Sequence, residues 1–378
     1  MHEPAIQLIS YIAPAAPATR RPADGTEPSI RPEIGFTPAW FRQNLPLDFG
    51  HRWHTDPAYR RQAVLAMRGE LRRRFPQTQI GRIDRPDAPL DLLTGTFGAC
   101  TVAAIYGVPI RYAEDNWPNC EHQYLSAADI DRLEPADLDT NPFFHELMTQ
   151  VDWIAQQEGR VEGYINWQGV LNNAQRLRGQ ELLTDLFDHP DRVRHLLDCI
   201  ATTMIDAAKR LHQRQRQTGV DVGFFTVSNC LVNMVSPAQY AELLLPFDRR
   251  IAEAFDGIGV HNCAWTADPY LDHYATLPQV AYIDMGKASD LRRARRTFPA
   301  ARRAIMYTPM DLANLSRAEI HADFSRIARE YGPCDIVLAD IEVGTPDDRI
   351  MAALEICAEL TEQTGSGLIV FDALPIVT

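Results

Sequence analysis

Long apolar runs are missing from this chain. No stretch approaches the roughly 18 consecutive apolar residues that a bilayer span requires, which argues against a membrane-embedded protein. Met1–Pro32 also lacks the basic start and long apolar core of a secretory signal, so a cytoplasmic protein is expected. Paired cysteines are missing as well. The seven cysteines, an odd number, are scattered singly with no Cys-x-x-Cys. In a chain without an export signal they read as reduced thiols, most of them small buried hydrophobes. Positive charge is in deficit: 37 Lys and Arg against 50 Asp and Glu leave a net charge of −13. That balance argues against a nucleic-acid partner, because phosphate binding needs a basic surface. The local arginine runs, Arg72–Arg74 and the group from Arg292 to Arg303, read as solvated helix faces. Finally, no Gly-x-Gly-x-x-Gly follows a strand-like run, which counts against a dinucleotide-binding doubly wound sheet.

What is present is a repeating unit. Short apolar runs that end in polar residues occur at 161–167, 220–228, 257–263, 280–284, 304–308, 335–341 and 367–372, and an eighth is expected within 92–113. Amphipathic helical stretches separate them: 190–215, 237–255, 288–298, 316–331 and 347–363. Ser236 before Pro237 and Thr345 before Pro346 match a cap followed by proline in the first helical turn. Repeated β-then-α units with continuously apolar strands imply a parallel sheet. Eight of them in under ~300 residues predict an α/β fold, a closed (β/α)8 TIM barrel. The expected organisation is a Pro/Ala-rich flexible tail over 1–32, an N-terminal helical extension over 33–90 packed on the barrel, and a barrel catalytic domain over 91–378.

Catalytic groups of such barrels sit at the C-terminal strand ends. Those ends read Asn166 and Trp167; Ser228, Asn229 and Cys230; His261 and Cys263; Asp284; Tyr307 and Thr308; Asp340 and Glu342; and Asp372. Seven consecutive ends able to coordinate, titrate or hydrogen-bond point to an enzyme. His261 and Cys263 stand out, because residues two apart on a strand face the same way. An imidazole and a thiolate together form half of a zinc site. The plainer alternative is a buried histidine beside an inert core thiol. Asp284, Asp340 and Asp372 read either as helix caps or as functional carboxylates. Asp340 and Glu342 would share a face, so one pKa would be pushed upward. Trp167 and Trp265 read as the floor of a binding site or as core, and Cys230 as a spare ligand or, more simply, a small filler.

The segment Ser236-Pro-Ala-Gln-Tyr-Ala-Glu-Leu-Leu-Leu-Pro, followed by Gly257-Ile-Gly-Val-His-Asn-Cys263, resembles the uroporphyrinogen decarboxylase superfamily. Its members carry Ser-Pro-x-x-[Phe/Tyr] and a proline six residues on, ahead of a strand ending in His-x-Cys. Gly344-Thr-Pro-Asp-Asp-Arg349 is similar to the turn before the last helix of the family, and Tyr164–Asn172 to the segment opening onto its pocket. The resemblance spans roughly residues 90–378 and implies a (β/α)8 barrel. The decarboxylase branch grips its substrate with an Arg-Gln-Ala-Gly-Arg-Tyr loop, of which only Arg42 and Gln43 remain here. Such a polycarboxylate needs several converging arginines, so that substrate is not expected. The zinc-dependent corrinoid methyltransferase branch holds its metal on His-x-Cys plus a later cysteine. His261 and Cys263 match the first two. Asp340 and Glu342 stand where the third belongs, and Cys334 lies at the wrong end of its strand.

Three readings follow. The first is a zinc-dependent methyltransferase that moves a methyl group from a corrinoid or similar donor to a thiol. Its metal ligands would come from His261, Cys263, Asp340 and Glu342, its catalytic groups would be Asp284, Tyr307 and Glu342, and its substrate contacts would be Asn166, Trp167, Asn229 and Trp265. A corrinoid protein would be its partner. The second is a cofactor-free decarboxylase or lyase acting on a small carboxylated substrate, with Asp284 or Glu342 as the acid. The third is a non-catalytic barrel that binds a corrinoid or another small molecule.

Overall fold

The computed structural model describes residues 8–12, 27–78, 80, 90–222 and 225–363. Its centre is an all-parallel sheet of seven strands: β1 Leu8–Ile12, β2 Ile30–Phe36, β3 Phe225–Ser228, β4 Ile258–His261, β5 Val280–Gly286, β6 Arg302–Met306 and β7 Cys334–Ile341. The spatial order is β1-β2-β7-β6-β5-β4-β3. Residues 161–166 lie beside β3. Tyr164 donates its hydroxyl to the Thr226 carbonyl (3.3 Å), and Glu162 makes a parallel bridge with Asp91. Helices cover the outside of this sheet, and the architecture is a (β/α)8 barrel.

Strand alternation sorts the side chains into two sets. Ile283, Ile305, Ile336 and Leu338 point outward into the main core beneath the helices. Tyr282, Ala304, Val337 and Ala339 point inward and form a small cluster of their own. The N-terminal end of the interior is charged. Asp335 takes two bonds from Arg302 (2.6 and 3.0 Å) and one from Arg31 (2.9 Å), and Arg302 also pairs with Glu27 (3.2 Å). Bidentate geometry offsets much of the cost of burying those charges.

This ionic plug explains why β2 escapes a sequence reading. Ile30-Arg-Pro-Glu-Ile-Gly-Phe36 carries two charges and a proline, a pattern that argues against a strand, yet its residues pair in register with β7 from Ile30–Cys334 to Ile34–Leu338. Arg31 is accepted because Asp335 meets it inside the wall. Residues 30–36, divided by the sequence between tail and helical extension, therefore belong to the sheet, and Leu8–Ile12 pairs with them. Residues 1–7 and 13–26 of the supposed tail and the expected strand at 367–372 lie outside the described residues. Residues 161–167 form no continuous strand; inside the stretch 92–113, residues 101–105 are helical and Ile110–Arg111 is a short strand paired antiparallel with Asn119–Cys120.

Three long helices fall where the sequence periodicity places them. Pro190–Gln217, Arg317–Tyr331 and Asp347–Gln363 match the sequence reading closely, and Ser316 with Glu319 forms a reciprocal capping box. The expected helix over 237–255 is broken: Pro237–Gln239 is α-helical, Tyr240–Leu244 is a π-turn and Leu245–Ala254 is α-helical. Pro246 supplies the reason, because it has no N–H for the Glu242 carbonyl one turn back. The wide turn aims the Tyr240 hydroxyl at the buried Asp248 carboxylate, 2.7 Å away. Among the described residues no helix is long and apolar enough to cross a membrane.

Candidate metal centre

The site forms where β3 and β4 end side by side. Ser228 and His261 are register partners, and pairing persists one residue further, with Asn229 N donating to the His261 carbonyl at 2.7 Å. Cys230 and Cys263 each lie two residues past that register pair, so they continue the same alignment off the strand ends. Cys263 then adopts a left-handed backbone, φ 56°. That conformation is costly for a residue with a Cβ and tends to persist where function needs it. It turns the Cys263 sulfur to within 2.9 Å of Cys230 Sγ and 3.0 Å of His261 Nε2. The three ligand atoms lie within 4.8 Å of one another.

A buried frame holds the imidazole. Asp284 accepts from His261 Nδ1 (2.6 Å), from the Tyr282 hydroxyl (2.9 Å) and, on its other oxygen, from Asn262 N (2.8 Å). With Nδ1 committed to Asp284, Nε2 is the nitrogen left facing the sulfurs, the arrangement by which a carboxylate fixes a metal-binding histidine. Asn262 is held in turn by the Tyr274 hydroxyl (2.8 Å) and by the Asp284 carbonyl (2.9 Å). Asn229, beside Cys230, is held by Asp248 (3.0 Å), whose full burial pushes its carboxyl up to about 6 against the bonds from Tyr240 and Asn229.

The electrostatics favour separated charge. Burial opposes charging His261, but the Asp284 carboxylate and the Cys263 and Cys230 sulfurs outweigh it and hold the imidazole well above its ordinary range. The bond from Cys263 draws Cys230 well below an ordinary thiol, while the same bond drives Cys263 upward. The hydrogen bond between the two sulfurs thus favours a thiolate in the pair, and a thiolate is the form that ligates metal. One nitrogen and two sulfurs at the open end of a barrel suit zinc better than the oxygen-seeking cations.

The sequence placed the third ligand elsewhere. Cys230 joins His261 and Cys263, whereas Asp340 and Glu342 belong to no such cluster among the described residues. Asp340 is turned by its own left-handed backbone, φ 56°, and bonds Trp117. Burial raises its carboxyl above the ordinary range, the Trp117 bond opposes this, and the charge of Glu342 adds to it. Glu342 is exposed. Register was the missing signal: Cys230 follows Ser228 by the same two residues that separate Cys263 from His261, but only the fold makes those strands neighbours.

The other expected site residues divide. Asp284 acts through His261 and sits behind it. Asn229 spends its side chain on Asp248. Asn166 accepts from the backbone and side-chain nitrogens of Gln168 (3.0 and 2.9 Å), and Gln168 accepts from Asn172 (2.8 Å), an amide chain that reaches Leu231 N through Asn172 Oδ1 (3.3 Å). Trp167 is buried as core. Trp265 is 55% exposed in the segment that follows β4. Tyr307 is engaged away from the cluster, donating to Asp323 (3.0 Å) with Lys287 4.9 Å over its ring. The seven cysteines are free thiols.

Fold and site together define a (β/α)8 barrel with a nitrogen–sulfur cluster at its C-terminal face. The sequence profile of the family Uroporphyrinogen decarboxylase (URO-D) matches residues 80–359, and the chain belongs to that family. Among solved structures it is similar to a methyltransferase from Methanosarcina mazei, with 14% identity, a TM-score of 0.59, and coverage of 90% of this chain and 96% of that one. No curated protein matches the chain.

Proposed function

We propose that this chain is a zinc-dependent methyltransferase that transfers a methyl group from a corrinoid or similar donor to a thiol acceptor. The observation that carries this reading is the convergence of Cys230, His261 and Cys263, two of them from the His-x-Cys pair and the third from the neighbouring strand end. These three residues would hold the metal. Zinc bound there would lower the pKa of an acceptor thiol, so that a thiolate exists near neutral pH. Three protein ligands leave a fourth position for that thiol. Asp284 keeps the proton on His261 Nδ1, and Asn262 and Tyr282 keep Asp284 in place.

The rim supports a broad, apolar partner. Met234, Trp265, Met310 and Val343 are exposed, and they lie in the segments that follow β3, β4, β6 and β7. Exposed apolar side chains in the segments that follow these strands suit a corrin face or a protein that carries one. Cytoplasmic location would keep the ligand sulfurs reduced.

Metal analysis of the purified protein tests the reading. Stoichiometric zinc is expected, lost in His261→Ala, Cys263→Ala and Cys230→Ala. Protein that neither contains zinc nor takes it up on titration refutes it. Asp340 favours the carboxy-lyase alternative, since burial raises its carboxyl and would help it hold a proton. On that reading Asp340→Asn abolishes turnover and His261→Ala is tolerated.

A further inference from the structure

We infer that Cys230 and Cys263 close into a disulfide when metal is absent and a peroxide is present, a modification that removes the ligand set. The geometry comes from the register. Ser228 and His261 are partners on adjacent parallel strands, whose backbones run about 4.7–4.9 Å apart. The bond from Asn229 N to the His261 carbonyl carries that alignment past Ser228. The Cys230 and Cys263 sulfurs stand 2.9 Å apart, and the left-handed turn at Cys263 directs one at the other. Both residues are half-buried at the open face of the barrel, whereas Cys100, Cys199, Cys334 and Cys357 are buried.

The chemistry balances with hydrogen peroxide as the oxidant. Cys230 Sγ attacks one peroxide oxygen and the O–O bond breaks, giving a sulfenic acid and one water. Cys263 Sγ then attacks the Cys230 sulfur. The S–S bond forms, the S–O bond breaks and a second water leaves. Two thiols lose two electrons and two protons, and peroxide is reduced to two waters. A disulfide offers no thiolate, so His261 alone would remain of the three ligands. Bound metal would occupy both sulfurs and block the first step. That protection rests on the zinc reading, but formation of the crosslink does not.

Metal-stripped and zinc-treated full-length protein are exposed to the same dose of hydrogen peroxide, alkylated, digested without reductant and mapped by mass spectrometry. The expected result is a linked Cys230–Cys263 peptide from stripped protein, suppressed by zinc treatment, with zinc uptake lost on oxidation and restored by dithiothreitol. In Cys263→Ser the reaction should stop at a Cys230 sulfenic acid trapped by dimedone. A stripped protein in which both cysteines remain free, or go to sulfinic acid without a linked peptide, overturns the inference. Should the linked peptide form in protein that never takes up zinc, the crosslink stands and the methyltransferase reading falls.

Discussion

Asp284→Asn is a near-isosteric change with a large expected effect. The carboxylate accepts three hydrogen bonds, from His261 Nδ1, the Tyr282 hydroxyl and Asn262 N. An amide can accept at one end only. If its oxygen faces Asn262 N, its NH2 meets His261 Nδ1 and becomes the donor. The imidazole proton then moves to Nε2, the nitrogen that faces Cys263, and that tautomer offers no lone pair to a metal. If the amide is flipped, its NH2 opposes Asn262 N, and a buried donor loses its partner at a cost of about 1–3 kcal/mol. Loss of such an orienting carboxylate typically weakens metal binding about 10–100-fold, equivalent to about 1.4–2.8 kcal/mol. The assay is a zinc titration in competition with a chromophoric chelator, set beside the thermal midpoint of the metal-free variant. Unchanged zinc affinity in a folded variant would refute the role given to Asp284, and with it the assignment of Nε2 as the ligating atom.

Further outcomes follow from the packing. Gly286→Ala places a methyl against the Ala264 carbonyl, next to Cys263; overpacking of this kind costs about 1–3 kcal/mol, and zinc affinity in the same titration should fall because the ligand turn must shift. Arg302→Met leaves Asp335 with Arg31 as its remaining bonded arginine in the plug, and breaking a buried pair costs about 3–5 kcal/mol. Urea unfolding should show that loss, while zinc stoichiometry stays unchanged. Burial lowers His54 to about 3 and His212 to about 4. Both are depressed cations, so as pH falls from about 6.5 towards those values the unfolded chain binds the extra protons and stability is lost. Asp248, raised to about 6, binds its proton in the folded state first and opposes that slope between about pH 4 and 6. His54→Asn keeps an acceptor for Phe97 N and should reduce the pH dependence of stability by about one proton; an unchanged slope would refute a neutral buried His54.

Much of the barrel was legible in the chain because its local signals agree. Continuous apolar runs gave β3 to β7, while capping residues and 3.6-residue periodicity gave the long helices. β2 stayed hidden because Arg31, Pro32 and Glu33 spoil its strand pattern, and it is Asp335, 304 residues away, that makes an inward arginine tolerable. The break at Tyr240–Leu244 was written in Pro246, but periodicity alone ran through it.

The site divides along the same line. Residue types and spacing by themselves determined that His261 and Cys263 leave one strand end together and that carboxylates and amides crowd the other ends. Which of those groups meet was decided only by tertiary structure. Spacing along one chain says nothing about which strands lie side by side, and the register of β3 on β4, with the left-handed turn at Cys263, is what brings Cys230 to the cluster and leaves Asp340 out of it.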